Sequence, residues 1–96
     1  MESQPIGVQA AFLLASAYEQ EGSTDEAERL FIRISNAAEL GFQIREALAH
    51  AARIRTTNGE FAGAAELYED ILATLEEADP ERAIWEMRLA EVSARG

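Results

Sequence analysis

Residues 14–31 read LASAYEQEGSTDEAERLF, and residues 51–68, which begin 37 positions later, read AARIRTTNGEFAGAAELY. The two stretches share small, turn-forming and apolar residues at matching positions: Ala15 and Ala52, Gly22 and Gly59, Ala27 and Ala64, Leu30 and Leu67, Phe31 and Tyr68. The match continues beyond them with Ile34 and Ile71. Self-similarity at a fixed period of this length is typical of helical repeat proteins. We therefore expect the chain to fold as copies of one helical unit.

The apolar spacing around both stretches predicts helices. Apolar residues recur at helical intervals, and no useful length of alternating β pattern is present. Gly22 and Gly59 can each close a helix in the left-handed conformation, and the connection after each is so short that the flanking helices must form an antiparallel hairpin. The sequence thus predicts an all-α fold. We expect one domain, 1–96, with helices at about 5–21, 24–39, 42–57, 60–77 and 80–94.

Helix starts carry their own signals. Ser23 followed by Glu26 predicts a capping box, in which the hydroxyl and the carboxylate each accept a backbone N–H. Asp79 followed by Pro80 predicts an N-cap and a first-turn proline for the last helix. These signals agree with the helix boundaries drawn from the apolar pattern.

The repeated residues resemble the tetratricopeptide repeat (TPR) family, whose unit is an antiparallel helix pair of about 34 residues. The matching residues are Leu14, Ala15, Tyr18, Gly22, Ala27 and Phe31 in the first unit, and Ala51, Ala52, Gly59, Ala64 and Tyr68 in the second. The resemblance implies a right-handed α-solenoid of about two and a half units. Two departures stand out: Arg55 occupies the place of Tyr18, and Leu48 stands where the family often has tryptophan. We expect the longer period to add about one turn to each second helix.

Composition excludes several classes of protein. With 18 Asp+Glu against 8 Lys+Arg, the net charge of −10 argues against nucleic acid or an anionic membrane as partner. The chain has no cysteine, and no apolar run long enough for direct membrane insertion. We expect a cytoplasmic protein, or alternatively a soluble domain of an anchored or exported one. Because every Lys+Arg residue is arginine, we also expect a bacterial, GC-rich origin.

In TPR-like solenoids the first helix of each unit lines a concave groove. The resemblance therefore implies a protein-binding face drawn from three helices of this chain: Gln9, Phe12, Leu13, Ser16, Glu19 and Gln20 on the first, Glu46, Ala49, His50, Arg53, Thr56 and Thr57 on the third, and Met87, Arg88 and Glu91 on the fifth. The ionisable residues of this face are nearly balanced in charge. The excess of acids instead indicates a solvated outer face that keeps the protein soluble.

Four residues of this chain have competing interpretations. Phe12 and Leu13 are either exposed anchors for a partner or packed, with Phe12 lying on the third helix or under the N-terminal segment. His50 alone is weak evidence for any role: a hydrogen bond in the groove is one interpretation, and a metal ligand or catalyst is disfavoured because the local sequence supplies no second convergent ligand. Trp85 suits the face that closes the core over the fourth helix, although tryptophan is also enriched at interfaces.

The leading hypothesis for function is a non-enzymatic adaptor that binds a peptide or protein segment in the concave groove. It predicts no catalytic residue, no metal site and no cofactor. The alternative is a self-assembly or structural module, either a homodimer through the C-terminal helix or the interaction domain of a larger protein. We expect some of Ile84, Met87, Ala90 and Ala94 to be exposed, because no partner helix follows the fifth.

Overall fold

The computed structural model describes residues 5–96 of the chain. Over that range it contains five α-helices and no strand: α1 Pro5–Gln20, α2 Thr24–Ala37, α3 Gly41–Thr57, α4 Phe61–Ala73 and α5 Arg82–Arg95. The prediction of an all-α fold is confirmed.

Each helix packs against its neighbours in the chain. The main contacts join α1 to α2, α2 to α3, α3 to α4 and α4 to α5. The Cα trace measures 40 × 32 × 15 Å, so the molecule is a flat body whose thickness accommodates two helix layers. This nearest-neighbour stacking is the arrangement of a helical solenoid.

A single apolar core runs through the stack. Its two largest fully buried side chains are Phe31 and Ile71. The small repeated residues are buried as well, and all four alanines of the two matched pairs are 0% exposed: Ala15, Ala27, Ala52 and Ala64. Methyl groups at these positions let the paired helices approach closely, whereas larger side chains would hold them apart.

The two hairpin turns have the same backbone geometry. Gly22 has φ +87° and Gly59 has φ +81°, the left-handed conformation that glycine adopts without steric cost. In the first turn the Ser23 N–H donates to the carbonyl of Tyr18 at 2.9 Å, and in the second the corresponding bond is 2.8 Å long. This hydrogen-bond pattern is a Schellman motif, which satisfies carbonyls at the end of each first helix.

The predicted capping box at the start of α2 is wrong. Ser23 is the N-cap residue, but its side chain makes no capping hydrogen bond. A capping box also requires the N-cap N–H to be available to Glu26. In this protein the Ser23 N–H is already donated to Tyr18 within the preceding turn.

The fourth helix ends at Ala73, earlier than the predicted 60–77. The backbone tightens after that residue, because the Leu75 N–H donates to the carbonyl of Leu72, three residues back. Arg82 then donates from Nη1 to the carbonyls of Leu72 and Leu75, at 3.0 and 3.1 Å. A distant side chain therefore satisfies the end of this helix.

The fifth helix begins at Arg82 rather than at residue 80. Asp79 does act as a cap, but for the turn before the helix: its Oδ1 accepts the Glu81 N–H at 2.9 Å. The Arg82 N–H donates to the Asp79 carbonyl, three residues back, so this segment is a tight turn. Pro80 therefore lies in the turn and not in the first turn of the α-helix.

The extra turn expected in each second helix is also wrong. The second helices, α2 and α4, contain 14 and 13 residues, whereas α1 and α3 contain 16 and 17. The first helices are therefore the longer members of both pairs.

Phe31→Ala is expected to lower the free energy of unfolding by about 3–5 kcal/mol, because a fully buried ring leaves a cavity. Phe42→Ala removes the same atoms from a side chain that is 59% exposed, and should cost about 0.5 kcal/mol or less. Urea unfolding followed by circular dichroism measures both values. Equal losses in the two variants would contradict the burial of Phe31.

Candidate protein-binding face

Two groups of contacts join residues of the first, third and fifth helices. Glu19 of α1 pairs with Arg53 of α3. A surface depression is lined by residues of α3, α4 and α5. We use the name "binding face" for the predicted groove residues of α1, α3 and α5, together with this depression.

Arg53 is held by two partners at the centre of the binding face. Its two terminal nitrogens donate to the two carboxylate oxygens of Glu19, with Nη2 lying 3.1 Å from Oε1. This hydrogen bonding lowers the pKa of Glu19 and raises the pKa of Arg53. Nη2 also lies 3.0 Å from Nδ1 of His50. The guanidinium is therefore neutralised and fixed in orientation, although it is half exposed.

His50 is neutral in this arrangement. Because arginine is only a donor, Nδ1 of His50 must accept its hydrogen bond, which places the ring proton on Nε2. Partial burial lowers the pKa of His50, and the charge of Arg53 lowers it further, against the opposing effects of Glu46 and Glu19. The imidazole also stacks on Phe31, with ring centroids 4.7 Å apart and an angle of 17°.

Phe12 and Leu13 have different environments although they are adjacent. Phe12 is half-buried and packs on Phe31 of α2, with ring centroids 6.1 Å apart and tilted by 50°. Its aromatic contact is therefore with the second helix, whereas the third helix or the N-terminal segment was expected; residues 1–4 of that segment lie outside the described residues. Leu13 is 74% exposed and Leu14 is 50% exposed. Leu13 is thus the apolar residue of this pair that solvent reaches.

The depression between α3 and α5 has a volume of about 270 Å³. Its lining combines two aromatic rings, two guanidinium groups, an imidazole and a methyl group: Ala49, His50, Arg53, Tyr68, Trp85 and Arg88. The sequence predicted four of these six residues as part of the groove and missed Tyr68 and Trp85. The repeat alone assigns Tyr68 to the core, because it occupies the place of Phe31, which is fully buried.

Trp85 covers Tyr68 from the following helix. The two rings stack with centroids 6.2 Å apart, and the indole Nε1–H donates to Oε2 of Glu81 at 3.1 Å. Trp85 therefore packs over the fourth helix, as its spacing indicated, and still borders the depression. One side chain thus serves the core and the binding face together.

The remaining predicted residues do not join these contacts. Thr56 is half-buried, and its hydroxyl donates to the carbonyl of Ala52 in its own helix at 2.8 Å. Ser16 is half-buried. The others are exposed: Gln9, Gln20, Glu46, Thr57, Met87 and Glu91. They can border a bound segment but are not organised by neighbouring side chains in the way that Arg53 is.

The outer side of α5 is exposed, as the sequence predicted. Ile84 is 50% and Met87 is 56% exposed, and Ala90 and Ala94 are exposed too. Within residues 5–96, no group of three or more metal-ligating side chains is arranged to hold a metal ion. In the same range, no helix combines the length and the apolar character needed to cross a bilayer.

The sequence model of the tetratricopeptide repeat family matches residues 10–44, which span α2 and parts of the helices on either side. This stretch of the chain is therefore similar to one tetratricopeptide repeat. The second TPR-like unit of the chain follows from the internal match of residues 51–68 and from the repeated turn geometry. Neither the curated proteins nor the solved structures contain a match to this chain. TPR domains typically mediate protein–protein interaction and are typically non-enzymatic.

The lowered pKa of His50 predicts a pH-dependent stability. The unfolded chain binds a proton at the ordinary pKa of 6.5, whereas the folded chain resists protonation, so the free energy of unfolding should fall as the pH drops below 6.5. The His50→Gln variant should lack this loss. Urea unfolding from about pH 8 to about pH 5 measures it, because histidine titrates in this range.

Glu19 acts in a separate pH window. Its pKa is lowered from 4.5, so the stability that its ion pair contributes is present above pH 4.5 and is lost as the pH falls through the folded-state pKa. The two effects are therefore separable. If the free energy of unfolding varied with pH equally in the wild type and the His50→Gln variant above pH 5, the assignment of the stability loss to His50 would be contradicted.

Proposed function

We propose that this TPR-like protein is a non-enzymatic adaptor whose binding face holds a segment of a partner protein. The observation that carries the proposal is the depression of about 270 Å³, in which aromatic, apolar and cationic groups converge from three helices. Concave sites that combine apolar walls with a few fixed polar groups are the usual form of ligand sites.

The binding face is fixed before a partner arrives. Phe12 packs on Phe31 in a tilted contact, His50 stacks on Phe31, and Glu19 holds Arg53 in one orientation. A surface that is already ordered loses little side-chain entropy on binding, so more of the contact energy is retained as affinity. The packed rings and the paired guanidinium thus make the binding face rigid, which favours its binding to a partner segment.

The two arginines of the depression have different roles in this proposal. Arg53 is neutralised by Glu19, and it orients His50. Arg88 is exposed and makes no ion pair with the residues that the structure describes. Arg88 is therefore the cation that a partner can pair with at no cost to an existing contact.

Selection of random peptides displayed on phage against the immobilised protein tests the proposal. The Arg88→Glu variant should lose at least about tenfold in affinity for the selected peptides, equivalent to about 1.4 kcal/mol. Arg33→Glu makes the same charge change on an exposed residue of α2 and should bind as the wild type does. Peptides retained equally by both variants would place the binding site elsewhere.

The exposed side of α5 favours a second candidate function, self-assembly. Ile84 and Met87 are both at least 50% exposed on this terminal helix of the stack. A second copy that covered them would remove apolar surface from water. Sedimentation velocity over a range of concentrations should then show a dimer that the Met87→Glu variant abolishes. A wild type that stays monomeric at the highest concentration would exclude this candidate.

A further inference from the structure

The two repeat units differ in the residues that pack on a matching ring. Phe31 of the first unit corresponds to Tyr68 of the second, and both are buried. Phe12 and His50 pack on Phe31, and 37 positions later the corresponding residues are Ala49 and Met87. The second unit therefore has no counterpart of the Phe12 ring, and the ring that packs on Tyr68 is Trp85 of α5.

The depression lies where the counterpart of the Phe12 ring is missing. In the first unit Phe12 packs on Phe31 at 6.1 Å, and Phe31 is 0% exposed. In the second unit Ala49 and Tyr68 both line the depression of about 270 Å³. The Phe12 ring in the first unit thus shows which kind of group could fill the depression in the second unit.

The size of the depression agrees with such a guest. A buried apolar cavity of about 150 Å³ can hold a benzene molecule. The depression is larger and bordered by the rings of Tyr68 and Trp85, so it has room for a phenyl ring and the atoms that attach it to a chain. Aromatic pairs in tilted or offset contact attract each other beyond the area that they bury.

We propose that the depression is a binding site for an aromatic side chain of the partner, with a carboxylate of the partner beside it bound by Arg88. This inference rests on the proposed function, and it names the chemistry of the occupant. Arg88 borders the depression and is exposed, so its planar guanidinium can pair with a carboxylate in two parallel hydrogen bonds.

The charge of the surroundings supports an acidic rather than a basic neighbour for the ring. The chain as a whole has a net charge of −10, yet the lining contains two arginines and no carboxylate. Glu19 reaches the guanidinium of Arg53 from α1 and leaves Arg88 on the opposite helix. A ring joined to a cationic group would meet Arg88 with like charge.

Three small molecules test this chemistry directly: 3-phenylpropionate, which has a ring and a carboxylate; 4-methylpentanoate, which has a carboxylate but no ring; and 2-phenylethylammonium, which has a ring and a cation. Trp85 is the only tryptophan, so its indole N–H gives one assigned signal in a ¹⁵N correlation spectrum. We expect 3-phenylpropionate to shift this signal with a dissociation constant on the order of 1 mM, and the other two to bind about tenfold more weakly.

Ala49→Phe transfers the ring of the first unit to the second. The introduced ring should pack on Tyr68 as Phe12 packs on Phe31, so the variant should fold with unchanged or higher stability and lose the shift caused by 3-phenylpropionate. Ala62→Phe adds the same ring at an exposed position of α4 and should keep the shift. Arg88→Gln leaves the core untouched and should lower the affinity for 3-phenylpropionate to that of a probe without a carboxylate.

Several results would overturn the inference: no shift of the Trp85 signal by 3-phenylpropionate, equal shifts in Ala49→Phe and the wild type, or stronger binding of 4-methylpentanoate. The phage selection separates this failure from failure of the proposed function. Peptides that depend on Arg88 but carry no aromatic residue would overturn the aromatic site and leave the adaptor function standing. Retention of every selected peptide by Arg88→Glu would place the binding site elsewhere and overturn the proposed role of the binding face, whatever the small molecules do.

Discussion

The relative placement of the first three helices depends on the Phe31 ring. It is fully buried, and it contacts Phe12 of α1 and His50 of α3, so one side chain of α2 joins three helices. The polar contacts of the binding face are built on this stack. His50 accepts a hydrogen bond from Arg53, and Arg53 is in turn fixed by Glu19. A substitution that moves Phe31 would therefore also move His50, and with it the hydrogen bond that His50 accepts from Arg53.

The second unit has the same helix arrangement, but different side chains surround its central ring. Tyr68 takes the place of Phe31, and Trp85 stacks on it at 6.2 Å, compared with 4.7 Å between Phe31 and His50. The wider spacing and the small Ala49 leave a depression at the surface. The repeated residues thus build the scaffold, whereas the non-repeated residues Ala49 and Trp85 leave this part of the surface open.

Features that depend on a few adjacent residues could be predicted from the sequence. Gly22 and Gly59 were identified because a left-handed turn strongly favours glycine, and the four alanines because close helix packing requires small side chains. The capping box failed because the Ser23 N–H was already used in the preceding turn. That competition depends on the conformation of Gly22, which the capping pattern alone does not include.

Features that depend on distant residues were missed. The end of α4 is satisfied by Arg82, a residue of the next helix, so no pattern within α4 could reveal it. Tyr68 and Trp85 were assigned to the core, and the depression depends on where α5 lies against α4. Sequence spacing identified four of the six lining residues because they belong to helix faces that the repeat defines, whereas the other two required the packing of a third helix.

Net charge and local charge lead to different conclusions about the partner. The excess of acids over bases in the whole chain favours solubility and disfavours nucleic acid, but it does not describe the depression, whose lining contains only cationic and neutral groups. Within that lining, Arg53 cannot select a carboxylate without competing with Glu19. In the proposed site, selection by charge would therefore depend on Arg88, whereas Arg53 hydrogen-bonds His50, which stacks on Phe31. The same residue type thus stabilises the scaffold at one position and can recognise a ligand at another, because only one of the two has a carboxylate partner within the described chain.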